Sequence, residues 1–125
     1  MYFLKVRDYF GSAHFLRGYK GKCENLHGHN WEVIVKVGGR QLDEKGLLLD
    51  FGELKKILRD VLKEIDHKVL NEIPPFIQEN PSAENISKYI YNSLCERLPS
   101  NVKVEEVEVW ETPWQGAVYY KDEGD

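Results

Sequence analysis

Cys23-Glu24-Asn25-Leu26-His27-Gly28-His29-Asn30-Trp31-Glu32-Val33-Ile34-Val35-Lys36-Val37 is the stretch on which the reading of this chain turns. From His27 onward it alternates as a half-buried strand does, with Trp31, Val33, Val35 and Val37 on one face. His27 and His29 share that apolar face, about 7 Å apart along an extended chain, with only Gly28 between them. Two imidazoles on one face can close on a single metal ion. A third ligand must come from elsewhere, and His14, in Ser12-Ala13-His14-Phe15, is the candidate. Three histidines around an open fourth position form a catalytic zinc pattern, whereas thiolates usually close a structural site. Cys23 leaves both readings open, as a fourth ligand or as a reactive thiol beside the metal.

Working outward, 125 residues fit one domain, residues 1–125, with a real hydrophobic core. A net charge of -4 gives no basic surface for nucleic acid. No apolar run reaches membrane-spanning length, and Met1 to Arg7 lacks the apolar core of a signal peptide, so the expected location is the cytoplasm. There are two cysteines. Cys95 falls in the helix-like run Ile86 to Leu98 and is expected to be a small buried thiol. Cys23 is then expected to be free, as in a reducing compartment.

Before the histidine pair, Tyr2 to Phe10 reads as a strand, and a bulge or bend at Gly11 would turn His14 inward. Arg17 to Lys22 reads as a loop whose Arg17, Lys20 and Lys22 could hold a phosphate tail. After it, Gly38-Gly39 ends the second strand. Asp50 with Glu53 forms an N-cap signature for a helix bearing Phe51, Leu54, Leu58, Val61, Leu62 and Ile65 at helical spacing. Asn71 to Asn80, with Pro74-Pro75, cannot be regular structure. Ser82 caps a second helix with the stripe Ile86, Ile90, Leu94 and Leu98. Val102 and Val104 differ in parity from Val107, Val109 and Glu111, which predicts a bulge at Glu105-Glu106 in a third strand. Ala117 to Tyr120 supplies a fourth. The order β-β-α-α-β-β is an α+β arrangement with a four-stranded antiparallel sheet and two helices on one face. Its open edges call for closure in an oligomer.

Two further groups carry chemistry. Asp66-His67 follows the first helix, and with Cys23 supplies a thiol, an imidazole and a carboxylate for proton transfer. The same pair could instead only complement the helix dipole. Glu111 lies in phase with Val107 and Val109, which places a carboxylate on an apolar face, where it needs a partner. Paired N–H donors of a nitrogen heterocycle, or an arginine, would provide one.

His14, Cys23-x-x-x-His27-Gly28-His29, Asp50-Phe51-Gly52, Asp66-His67-x-x-Leu70-Asn71, Asn80-Pro81-Ser82-Ala83-Glu84-Asn85 and Glu111-Thr112-Pro113 together resemble the 6-pyruvoyl-tetrahydropterin synthase superfamily. The motifs run in family order over nearly the whole chain. The three-residue gap between Cys23 and His27 resembles the 6-carboxy-5,6,7,8-tetrahydropterin synthase branch of queuosine biosynthesis. The resemblance implies the tunnelling fold, with trimers stacked into hexamers that close the sheets into a barrel and sites between subunits. It implies His14, His27 and His29 as zinc ligands, Cys23 as catalytic thiol with Asp66 and His67 as relay, and Glu111 and Thr112 as pterin-binding residues. The implied reaction converts 7,8-dihydroneopterin triphosphate to 6-carboxytetrahydropterin, releasing acetaldehyde and triphosphate. Rival readings are a 6-pyruvoyl synthase, a side-chain-cleaving aldolase, a non-catalytic zinc-binding assembly protein, and a cysteine hydrolase using Cys23, His67 and Asp66.

Overall fold

The structure, a computed structural model, describes residues 1–18 and 25–122. In chain order the elements are β1 (Tyr2–His14), β2 (His27–Gly39), α1 (Phe51–Leu62), β3 (Lys68–Val69), a single 3-10 turn (Leu70–Glu72), α2 (Ala83–Cys95), β4 (Lys103–Thr112) and β5 (Gln115–Tyr119). They form a five-stranded sheet in the order β3-β1-β2-β4-β5. The four long strands pair antiparallel, and β3 adds a two-residue parallel ladder to β1 at Ser12 and Ala13. The expected four strands are therefore present, with β3 as a short addition along one edge. No helix among the described residues is long and apolar enough to cross a membrane.

Alternation builds the core. Val6 and Phe10 of β1, Trp31, Val33, Val35 and Val37 of β2, and Val104, Val107 and Val109 of β4 are all buried on one face. Val104 and Val107 differ in parity, and a bulge reconciles them: Lys36 pairs with Glu106 and Val37 with Val104, leaving Glu105 extra. Leu54, Leu58, Val61 and Leu62 of α1 meet this face together with Ile86, Ile90 and Leu94 of α2. Asp50 caps α1 by accepting from the Gly52 and Glu53 amides, and Ser82 caps α2 by accepting from Asn85.

Two local expectations need correction. Gly11 neither breaks nor bulges β1, because the register with β2 runs unshifted from Tyr2 to His14. His14 faces inward through plain alternation, in phase with Phe10 and Ser12. Cys95 is exposed rather than buried, although local desolvation still pushes its thiol above the usual value.

Candidate metal centre

Register places the histidines. His14 and His27 are direct cross-strand partners, and Ser12 pairs with His29, so three imidazoles gather at one end of the β1–β2 ladder. Trp31 underlies them, fully buried, with its ring centroid 4.9 Å from that of His14 and 5.4 Å from that of His29. The Trp31 indole donates to the Ser12 carbonyl and stacks on Phe10, which keeps this floor rigid. Glu111, near the end of β4, completes the group. One ligand atom from each of His14, His27, His29 and Glu111 lies within 4.8 Å of the others.

Hydrogen bonds orient the rings. His14 Nδ1 donates to the Pro81 carbonyl at 2.6 Å and His27 Nδ1 to the Asn25 carbonyl at 2.6 Å. A carbonyl can only accept, so in the neutral rings Nε2 carries the lone pair. Those two Nε2 atoms are 3.0 Å apart. The Glu111 Oε1 lies 3.5 Å from His14 Nε2, 3.7 Å from His27 Nε2 and 2.7 Å from His29 Nε2. The last contact lacks hydrogen-bond orientation, so the buried His29 Nε2 has no hydrogen-bond partner among the described residues. The lone pairs of His14 and His27 thus converge beside His29 Nε2 and the Glu111 carboxylate, and something positive belongs there. A proton is disfavoured at His14: burial chiefly, reinforced by the neighbouring His27 and His29, holds it below the usual imidazole value.

A metal ion fits this point. Zinc–ligand bonds of about 2.0–2.2 Å in a tetrahedron separate the ligand atoms by roughly 3.3–3.6 Å. The separations here, from 2.7 Å to at most 4.8 Å, bracket that value. The Pro81 and Asn25 carbonyls are the outer partners that ligating histidines generally have.

The Asp66-His67 pair lies elsewhere. Gly11 and β1 hold it: the Gly11 amide donates to Asp66 Oδ1 at 2.9 Å, and the His67 amide donates to the Gly11 carbonyl. The Ser12 hydroxyl donates to the Ile65 carbonyl and accepts from the Lys68 amide, which docks the same turn. His67 Nδ1 is 2.9 Å from Asp66 Oδ1, while its side chain is 87 % exposed. Desolvation pushes the Asp66 carboxyl up, but the Gly11 amide, the His67 ring and Arg59 outweigh it and hold the group below the ordinary aspartate value. His67 borders a shallow depression with Gly11, Ser12, Gly28, His29 and Asn30. The hydrogen bonds and ion pairs of Asp66 and His67 run to Gly11, Arg59 and each other, and none reaches the imidazoles of His14, His27 or His29 among the described residues.

Other expected residues separate cleanly. Cys23, Lys20 and Lys22 lie outside the described residues. Arg17 is engaged in structure, donating to the carbonyls of Asn71, Phe76 and Glu79. The Thr112 hydroxyl accepts from the Trp114 amide in the β4–β5 turn, and Thr112 borders a groove with Tyr9 and Trp110 away from the histidines. The outer anchors Pro81 and Asn25 act through backbone carbonyls, which no residue type reveals; only the position of Pro81 within the Asn80-to-Asn85 motif offered a signal.

Comparison with known proteins places the chain in a family. The 6-pyruvoyl tetrahydropterin synthase family profile matches residues 3–122. The chain belongs to this family. It is 37% identical over 105 residues to the dihydroneopterin monophosphate aldolase of Pyrococcus furiosus, covering 84% of this chain and 85% of that protein. It is 32% identical over 124 residues to the 6-carboxy-5,6,7,8-tetrahydropterin synthase of Bacillus subtilis, covering 93% and 83%. The solved 6-pyruvoyl tetrahydropterin synthase of Caenorhabditis elegans superposes with a TM-score of 0.86 at 29% identity, covering 97% and 96%. Membership of this family assigns the α+β tunnelling fold and a pterin-processing role.

Proposed function

We propose that the chain, as one domain over residues 1–125, is a zinc-dependent lyase. It converts 7,8-dihydroneopterin triphosphate to 6-carboxy-5,6,7,8-tetrahydropterin with release of acetaldehyde and triphosphate, within queuosine-type 7-deazapurine synthesis. The observation that carries this reading is the convergence of three imidazole nitrogens on one point at metal-ligand separations, with their outer nitrogens anchored where the pairing is described. His14, His27 and His29 would hold the ion, which supplies Lewis acidity toward the side-chain hydroxyls of the substrate.

The chain's own residues account for the rest. Cys23, four positions before His27, takes a side-chain proton as thiolate. Asp66 orients His67 through Nδ1 and keeps the ring's other nitrogen free to pass a second proton. Glu111 grips the pterin ring and Thr112 extends that contact. Such positioning matters because a misplacement of about 1 Å can cost roughly 10²-fold. The His67 side chain is exposed and none of its hydrogen bonds or ion pairs reaches the histidines of its own chain among the described residues, which favours a relay that serves the metal site of a neighbouring copy. The assembly is then a homo-oligomer, read as a hexamer of two trimers, with neither nucleic acid nor membrane as a partner.

The Bacillus relative and the short Cys23–His27 spacing favour the carboxy product. The Pyrococcus relative favours a second reading, a side-chain-cleaving aldolase in the same pocket. Mass spectrometry after incubation with dihydroneopterin triphosphate separates them. A carboxypterin with acetaldehyde supports the first reading. A 6-pyruvoyl product, or a 6-hydroxymethyl pterin formed together with a two-carbon aldehyde that keeps the triphosphate, overturns it.

A further inference from the structure

Ser12, His14, Asn71 and Ser87 are polar residues buried in the fold. His14 belongs to the imidazole cluster, Asn71 bonds the main chain of Phe15, and Ser87 donates to the Glu84 carbonyl of its own helix. Ser12 is placed differently. Its hydroxyl donates to the Ile65 carbonyl and accepts from the Lys68 amide at 3.3 Å, so one oxygen grips the residues on either side of Asp66-His67. Its own carbonyl accepts from the Trp31 indole at 3.2 Å, and across the ladder it pairs with His29. The turn at residues 65–68 is therefore fastened to a strand residue that is itself fixed by the floor of the metal centre.

That grip has something to hold. His67 sits at φ 58°, and a non-glycine residue keeps such a backbone only where its surroundings over-determine it. The His67 side chain is exposed, so packing around the ring does not supply the constraint. The constraint comes from the main chain. The Gly11 amide donates to Asp66, the His67 amide donates to the Gly11 carbonyl, and Lys68 begins the short ladder that pairs with Ser12. Removing the Ser12 hydroxyl takes the donor from the Ile65 carbonyl and the acceptor from the Lys68 amide at once. The residue between them is then free to relax toward a negative φ, which re-aims the ring.

We propose that Ser12 is a positioning residue for the Asp66-His67 pair, its hydroxyl clamping the turn in the left-handed conformation from which His67 passes its proton. Ser12 touches neither substrate nor metal in this role and acts only through the ring it aims. This inference rests on the relay reading of Asp66 and His67 given above.

The test uses the full-length zinc-loaded oligomer as wild type, Ser12→Ala, His67→Ala and the double variant, following consumption of dihydroneopterin triphosphate. Thermal melting and chelator competition check that each variant folds and keeps its metal. In Ser12→Ala, kcat should fall about 10–100-fold, the scale of a misplacement near 1 Å, while KM and zinc affinity stay close to wild type. The double variant should be no slower than His67→Ala, because residues that act through one another are not additive. Near-normal kcat in Ser12→Ala, with His67→Ala impaired, overturns the proposal and leaves the relay reading intact. Losses that multiply in the double variant also overturn it, since Ser12 would then act through something other than His67. So does a fall in zinc affinity that matches the fall in kcat. Wild-type turnover in His67→Ala, or no consumption by wild type, overturns the relay reading and the proposal together.

Discussion

Asp66 shows how single residues carry this account. Its carboxylate accepts from the Gly11 amide and lies 2.9 Å from His67 Nδ1, while Arg59 Nη2 stands 3.7 Å away. His67 is held with φ at 58°, a left-handed backbone that a non-glycine residue adopts only when its surroundings require it. The requirement is visible: the His67 amide must reach the Gly11 carbonyl while its ring stays on Asp66. Because the folded-state pKa of Asp66 is depressed, the unfolded chain binds more protons than the folded one at acid pH. The stability Asp66 contributes is therefore fully present above the ordinary aspartate value, near pH 4, and lost as pH falls through the lower folded value. Asp66→Asn should remove this component, so its melting temperature should fall less than that of wild type between pH 5 and pH 3. Parallel acid profiles for the two proteins would show that the pair is not coupled as described. That His27 and His29 share a face was legible in sequence, because a spacing of two on a strand marks it. That Glu111 meets the histidines was not, because it depends on β4 lying beside β2 in a particular register.

At the scale of elements, the connection between β3 and α2 is stitched to the end of β1 by side chains that imitate backbone. Asn71 exchanges two hydrogen bonds with the main chain of Phe15, and Asn80 exchanges two with the main chain of Arg17. The Arg17 guanidinium adds three carbonyl contacts, and Asn85 donates to the Asn80 carbonyl. This lacing positions Pro81, and through its carbonyl the ring of His14. Arg17→Ala should cost about 1–3 kcal/mol, because part-buried carbonyls lose their donor. Arg17→Lys should recover little, since an ammonium cannot reproduce the guanidinium fork. Thermal denaturation measures both. Unchanged melting with weaker triphosphate binding would restore Arg17 as a phosphate ligand. Helix caps and the β4 bulge were readable because Asp50, Ser82 and a change of valine parity leave local signatures. The two-residue β3 was not, because so short a strand has no period. Nor was the role of Arg17, since donation to carbonyls carries no spacing. The exposure of Cys95 escaped as well, as it sits one residue beyond the buried Leu94 on α2.

For the whole molecule, the histidine cluster and the Asp66-His67 pair are two separate groups at one end of the sheet. The histidines share the core face, while the exposed His67 borders a depression with Gly11, Ser12, Gly28, His29 and Asn30. The relay proposed for His67 would serve another copy, and the outer strands β3 and β5 leave the edges from which copies can assemble. Co-assembly of Cys23→Ala with His67→Ala chains tests this. If the relay acts between copies, random mixing of two inactive proteins restores about a quarter of wild-type activity, because some sites receive both intact parts. No recovery in verified mixed oligomers would place the relay within one chain. The central claim is that the clustered histidines hold the ion on which turnover depends. The most direct measurement is a zinc titration of metal-free protein supplied with dihydroneopterin triphosphate, following acetaldehyde release. The account predicts a rate that rises from near zero, reaches its plateau at about one zinc per chain, and stays near zero in His27→Ala. Full acetaldehyde release by the metal-free protein would contradict it.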